Sequence, residues 1–506
     1  MTQQGVKSVL LCLLSAIVCV AQTGAGNIQG TVKDATGAVI TTAQVKILYE
    51  TTSREYETKT NETGFYIFPS LQPGPYKMTV TAQGMQTWEG SVMLRVGQTA
   101  IVPVELTVGV TATQVTVVGD VTPLVTTDSP TLGNVVERTR LEQLPMNGRS
   151  IAGLIYKTTP GVDGQAGNPT VYGIRAGMEF LQDGAILANR YTGGIALRPP
   201  GVDTVEEFKV ETNASSAKFS APATTLLSTR AGTNSFHGSA FETARNNGFG
   251  LARARTDGNK PAQMIRNEFG VSAGGPILFP KIYDGRNRTF FFFSYEGFRQ
   301  AYSYTSATTM HTMAMRQGDF SGLVDGAGRK YTLYDPWTTG ADGLRLPFNN
   351  NQIPISRESP MAKYLLDVTP VPTNPDVNPL VGLNYIGLTP LSNRNHTETG
   401  RIDHKLTDRD QIFGRYSFGE INNTGLRSVL PTTDGLLNVS KVPVQDHSAS
   451  FNWTHSFSPT FFSETILTGA QEEYTVGKGS SNAGFLVDKL GVPNPYKNSY
   501  GAIVVR

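Results

Sequence analysis

Residues 401–418 read Arg-Ile-Asp-His-Lys-Leu-Thr-Asp-Arg-Asp-Gln-Ile-Phe-Gly-Arg-Tyr-Ser-Phe. Successive side chains of an extended strand point to opposite faces. Ile402 and Leu406 therefore share one face, and Arg401, Asp403 and Lys405 the other. Thr407-Asp408-Arg409-Asp410 makes a tight polar turn, and the chain returns with Ile412, Tyr416 and Phe418 together. This is a β-hairpin with one apolar and one charged face.

The same alternation extends both ways along the chain. In 268–277, Phe269, Val271 and Ala273 oppose Glu268, Gly270, Ser272 and Gly274. In 289–299, Phe291, Phe293 and Tyr295 oppose Ser294 and Glu296. Ala449, Phe451, Trp453, His455 and Phe457 share a face before the turn Ser458-Pro459-Thr460, and Thr465 and Leu467 lie on the return strand. Strands of roughly ten residues with aromatics near their ends suit an outer-membrane barrel. A soluble sandwich with aromatic strands would alternate in the same way. Residues 316–399 break the pattern and are rich in Pro, Asn and Gly, so they read as one large extracellular loop. Its Tyr331, Tyr334, Trp337 and Phe348 are the candidates for ligand contact, and packing of the loop on itself is the other reading.

Composition agrees with a turn-rich, mainly β chain. Gly stands at 53 and Pro at 29 in 506 residues, and charged residues make up 17%. The 43 basic and 41 acidic residues intermix, so nothing recruits nucleic acid by charge. At the start, Lys7 precedes an apolar run over 9–20, followed by the small residues Ala21, Gly24 and Ala25. That is a secretion signal, assigned to 1–25, and it is shorter than the roughly 20 residues that span a bilayer as a helix. Cys12 and Cys19 both lie inside it, so the mature chain is expected to have no cysteine. Any membrane-spanning part must then be a barrel.

Residues 26–108 read as short strands joined by tight turns, among them Asp34-Ala35-Thr36-Gly37-Ala38 and Leu71-Gln72-Pro73-Gly74. With Gly30-x-Val32-x-Asp34, Gly64-x-Tyr66, Tyr76 and Gly84, the segment resembles the carboxypeptidase regulatory-like domain, a small β-sandwich. All six histidines lie outside it and none begins a His-Glu zinc motif, so no catalytic or metal-binding residue is assigned. A structural spacer is the favoured role, and sugar binding the alternative.

Residues 109–120 form a linker with a β-prone stretch, Val115-Thr116-Val117-Val118. A short strand on a leash suits β-augmentation by a partner, and the stretch resembles a TonB box. It also reads as the last strand of the sandwich. Residues 121–233 have mixed periodicity, with a helix expected over 136–144 and another over 151–157, before Pro160. Leu144-Pro145-Met146-Asn147-Gly148-Arg149, then Phe208 within 205–213, then Asn234 within 232–238, resemble the plug of Oar-like TonB-dependent outer-membrane receptors. Gly274-Gly275-Pro276 and the run 286–292 resemble their barrel.

That resemblance implies a mainly β chain with a signal peptide, a small β-sandwich, an α/β plug at 121–233 and a partial transmembrane β-barrel at 234–506. It implies TonB-dependent uptake of an extracellular ligand at the outer membrane, with a periplasmic N-terminal domain and a TonB-type partner. No cofactor, metal or catalysis is expected. At roughly 20 residues per strand with its connection, the barrel segment holds about nine strands against roughly 22 in plugged transporters, so a fragment is expected. Arg149 and Arg175 are the plug arginines expected to serve structure or gating, with ordinary solvated arginines as the other reading. The alternative function is a surface adhesion or carbohydrate-binding display protein anchored by a barrel.

Overall fold

Arg401 and Asp403 are buried while Ile402, between them, is 53% exposed. This is the reverse of a soluble protein's surface, and it repeats from strand to strand of the computed structural model. The model describes residues 24–109, 115–120, 132–144, 146, 148–165, 168–175, 177–187, 200–213, 219–247, 264–425, 441–458, 461–476 and 503–505. Most of the expected leader, with Pro145, Asn147, Pro459 and Thr460, lies outside them.

The reversed strands form one antiparallel meander of eight strands among the described residues. They are His237–Asn246, Met264–Pro276, Thr289–Thr308, Tyr385–Lys405, Asp410–Gly425, Lys441–Ser458, Phe461–Val476 and Ile503–Val505, each paired with the next. Ser294, Glu296, Thr397, Thr399, Ser448, Ser450 and Asn452 are buried on the inner face. Val271, Phe293, Tyr416, Phe451, Trp453 and Leu467 are exposed on the outer one. A polar inside and an apolar outside is stable only when the outer face meets lipid, so the soluble-sandwich reading fails. Among the described residues no helix is long and apolar enough to cross a membrane.

The long loop is shorter than expected. Residues 385–399 belong to strand Tyr385–Lys405, which pairs with Thr289–Thr308 along its whole length, so the loop spans 309–384. In this strand residues 385–391 are mostly apolar on both faces and residues 392–395 polar on both, so this half shows no amphipathic period.

Inside the sheet's concave face sits a middle domain. Its central sheet runs Leu132–Glu137, Val205–Asn213, Ala223–Thr229, Met178–Gln182, Ala185–Ile186, with helices Arg138–Gln143 and Ile151–Thr158 packed on it. The second helix falls where expected and is capped by the Ser150 hydroxyl accepting from the Gly153 N–H. The first begins later than expected. Val136 pairs with Phe208 in the sheet and both are fully buried, so burial of a β-branched residue overrides the helical pattern.

The N-terminal domain is a sandwich of two sheets around a core that includes Ile28, Val45, Ile47, Tyr66, Met78, Val80 and Leu94. One sheet centres on Gly26–Asp34; the other runs Arg54–Lys59, Gln44–Tyr49, Gly74–Thr81, Thr87–Leu94, Val115–Asp120. Val115–Val118 thus lie in an edge strand, paired in parallel with Thr87–Leu94, rather than on a free leash. The stretch is rich in β-branched residues, which suit an extended, paired backbone.

Candidate functional site

The hairpin register places Arg401 directly opposite Arg415 on the inner face. Their side chains are 3% and 0% exposed. Like charges facing each other across a strand pair repel, and an unpaired buried charge costs several kcal/mol. A counter-charge from the strands, Asp403, accepts two hydrogen bonds from Arg401 at 2.8 and 2.9 Å.

A second comes from the middle domain. Asp183 Oδ2 lies 3.0 Å from Arg415 Nε, and its Oδ1 lies 3.6 Å from Arg401 Nη1. Asp183 heads the turn between Met178–Gln182 and Ala185–Ile186, with φ +46° there and +83° at Gly184. Asp tolerates this left-handed backbone better than bulkier residues. The Thr229 N–H and hydroxyl donate to the same carboxylate at 3.0 and 2.6 Å, and Arg401 in turn donates to the Thr229 hydroxyl and carbonyl. Arg415 is completed by Ser448 and Ser450 at 3.0 and 2.9 Å.

A second cluster has the opposite sense, with the wall acidic and the middle domain basic. Arg149 follows Gly148, whose φ is +85° and whose position faces the Arg266 guanidinium so closely that a Cβ would lie 2.5 Å from it. The left-handed backbone favours glycine there. The Arg149 guanidinium donates to Asp203 at 2.9 Å, lies 3.7 Å from Glu296 of the wall, and sits 3.8 Å above the Phe241 ring. Asp203 also receives Arg138 at 3.0 Å and the wall's Ser239 hydroxyl at 2.7 Å, while its own N–H donates to Glu296 at 2.8 Å. Burial works against ionisation of Asp203. The hydrogen bonds from Ser239 and Arg138 and the charges of both arginines outweigh it, holding the carboxyl below its ordinary value.

Of the expected site residues, Gly148 and Arg149 reach this interface. Leu144 packs on the middle-domain core, and Phe208 is fully buried in it. Asn234 donates to the Thr52 carbonyl of the sandwich and to Asn287 Oδ1. Arg175 lies on the exposed strand Ile174–Arg175. In the long loop the Arg357 guanidinium stacks 4.3 Å from the Trp337 ring and 5.2 Å from Phe348, and pairs with Asp335. Both rings therefore take part in the loop's self-packing, yet Trp337 stays 77% exposed, as Tyr331 and Tyr334 do at 52% and 57%. Sequence reasoning passed over Asp183, Asp203 and Arg415. The hairpin register alone sets Arg415 against Arg401, which was the available signal.

Residues 228–504 match the family model described as "outer membrane beta barrel domain", and residues 27–107 the carboxypeptidase regulatory-like domain. No curated protein matches the chain. Among solved structures, the siderophore receptor PirA from Acinetobacter baumannii is similar at 12% identity and a TM-score of 0.41, over 74% of this chain and 43% of that one. The ferric enterobactin receptor PfeA from Pseudomonas aeruginosa is similar at 12% identity and 0.41, over 74% and 44%. Catechol 1,2-dioxygenase from Acinetobacter radioresistens is similar at 14% identity and 0.16, over 20% and 58%. The chain spans less than half the length of the two receptors.

Proposed function

Because the chain belongs to the outer membrane β-barrel family, we propose that it is a receptor for TonB-dependent uptake of an extracellular ligand, with the middle domain as its plug. The observation that carries this reading is the pair of ion clusters of opposite sense between wall and middle domain. A domain meant to be permanent filler would be held by an apolar interface. This one is keyed by charge and hydrogen bonds, groups that water can solvate when the middle domain moves, as it could not an apolar face.

In this reading the leader at 1–25 exports the chain, the sandwich lies in the periplasm, and the loop at 309–384 faces outward. Val115–Val118 serve as the segment gripped by TonB. Their strand ends the sandwich sheet, and its outer side is unpaired among the described residues, as β-augmentation requires. The chain performs no chemistry, and energy enters through the partner.

A deletion strain and its parent, grown on individual carbon and iron sources with TonB present or absent, test this. Slower growth of the deletion strain on one source, seen only when TonB is present, is the expected result. A deletion that changes surface attachment but no growth rate, with or without TonB, would instead establish the adhesion role.

A further inference from the structure

The turn Leu71-Gln72-Pro73-Gly74 marks the sandwich in sequence, yet the transport reading gives it no task. In the structure it is aimed at the barrel wall. Gln72 Nε2 donates to Asp403 Oδ1 at 2.8 Å, the same carboxylate oxygen that receives Arg401 Nη2 at 2.8 Å. The neighbouring Ser70, held at φ +52°, donates from its hydroxyl to Glu464 Oε1 at 2.6 Å and stands 3.5 Å from the Thr454 hydroxyl. Asn452 donates to the same Glu464 oxygen at 2.8 Å. Four of the wall residues involved, Arg401, Asp403, Asn452 and Thr454, are buried on the inner face of the strands. Arg401 and Asp403 lie close to the short turn at 405–410, at the end of the barrel opposite the long loop.

The sandwich is joined to the middle domain as well. Val96, in the turn after Thr87–Leu94, is fully buried against Leu181, Leu226 and Phe219, and Arg95 pairs with Glu137 at 2.5 Å. The sandwich thus touches wall and middle domain at once, and the contacts converge. Gln72, Asp403, Arg401 and Asp183 form one unbroken polar chain from sandwich through wall to middle domain.

We propose that the sandwich is a latch: it binds the short-turn end of the barrel strands through Ser70 and Gln72, and restrains the middle domain by sharing the Arg401–Asp403 pair with Asp183. The middle domain then cannot leave the wall while the latch is engaged. This needs the fold and its contacts, and does not depend on what is transported or on TonB.

The test uses the full chain in membranes, with Cys12→Ala and Cys19→Ala as background. Ser70→Cys with Thr454→Cys replaces two hydroxyl groups 3.5 Å apart, within reach of a disulfide. Thr36→Cys with Thr454→Cys is the control, because Thr36 follows the far end of strand Gly26–Asp34, whose first residue pairs with Leu71. Mild oxidation should cross-link the first pair at least tenfold more than the control. Amide exchange in 223–229 of the middle domain should then be severalfold slower in the oxidised than in the reduced form, with exchange in 76–81 of the sandwich unchanged. Gln72→Ala, read by the same exchange, should speed 223–229 and covers the case in which the cysteine pair folds badly. Cross-linking no greater than the control's overturns docking. Equal exchange in both redox states, or no effect of Gln72→Ala, overturns the restraint.

Discussion

Were Asp183 neutral, Arg401 and Arg415 would confront each other across the hairpin with Asp403 paired to Arg401 alone. Removing one partner of a buried charged cluster costs about 3–5 kcal/mol, so Asp183→Asn should loosen the middle domain by that much. Arg149 is about a quarter exposed, with a side-chain exposure of 24%, and solvent screens its pairs. Arg149→Ala should cost nearer 1 kcal/mol. The comparison makes the Asp183 cluster the anchor and the Arg149 cluster the side that slips first. Chymotrypsin cleavage rates of the middle domain in membranes measure both, and equal rates for the two variants would contradict the ranking. Glu207 offers a pH test at the same scale. Burial against the sandwich pushes its carboxyl up to about 8 from 4.5, offset in part by Arg95 and the Val96 N–H, with Glu206 and Glu137 adding to the rise. Between those values the unfolded chain has this carboxyl ionised while the folded one keeps it protonated, so folding takes up a proton. Its contribution to stability is therefore present below pH 4.5 and lost as pH rises through about 8. Glu207→Gln should flatten the fall in melting temperature between pH 5 and 9, and an unchanged slope would reject the assignment. Arg149 was legible because a local motif surrounds it. Asp183 was not, because its role depends on two arginines more than two hundred residues away, which no local pattern encodes.

At the scale of elements, the strands were easiest to read where one face meets lipid and the other meets the middle domain. There the chemical contrast between alternate residues is greatest, as at Arg401, Ile402 and Asp403. It fades over 385–399, where apolar and polar residues come in blocks and do not alternate, which hid a long stretch of paired strand. The first middle-domain helix was misplaced for a different reason: Val136 sits opposite Phe208, and partners distant in sequence decide between strand and helix there. The sandwich was read from its turns, and one of its glycines gives a clear prediction. A Cβ on Gly30 would lie 2.0 Å from the Val102 carbonyl oxygen, which is backbone and also accepts the Tyr66 hydroxyl at 2.6 Å. Gly30→Ala must therefore push Gly26–Asp34 off its parallel partners Thr99–Ile101 and Val104–Leu106. A cost of about 3 kcal/mol is expected. It should appear as faster amide exchange throughout 99–106, with the barrel strands unaffected; wild-type exchange there would show that the close approach is not required.

At the scale of the molecule, three bodies share one set of polar contacts. The sandwich reaches the wall through Ser70 and Gln72, the middle domain reaches it through Asp183 and Arg149, and the wall gathers both on its buried polar face. This arrangement is tenable only because the opposite face of the wall is apolar and lies against lipid. The whole account rests on that inversion, and collision accessibility of spin labels measures it directly. Single cysteines at 448–453, each carrying a nitroxide in membranes, report contact with oxygen dissolved in lipid and with a water-soluble nickel chelate. Positions 449, 451 and 453 should show high oxygen and low nickel accessibility, and positions 448, 450 and 452 should be shielded from oxygen, giving a period of two residues. Accessibility without that period, or odd positions open to nickel, would contradict the account.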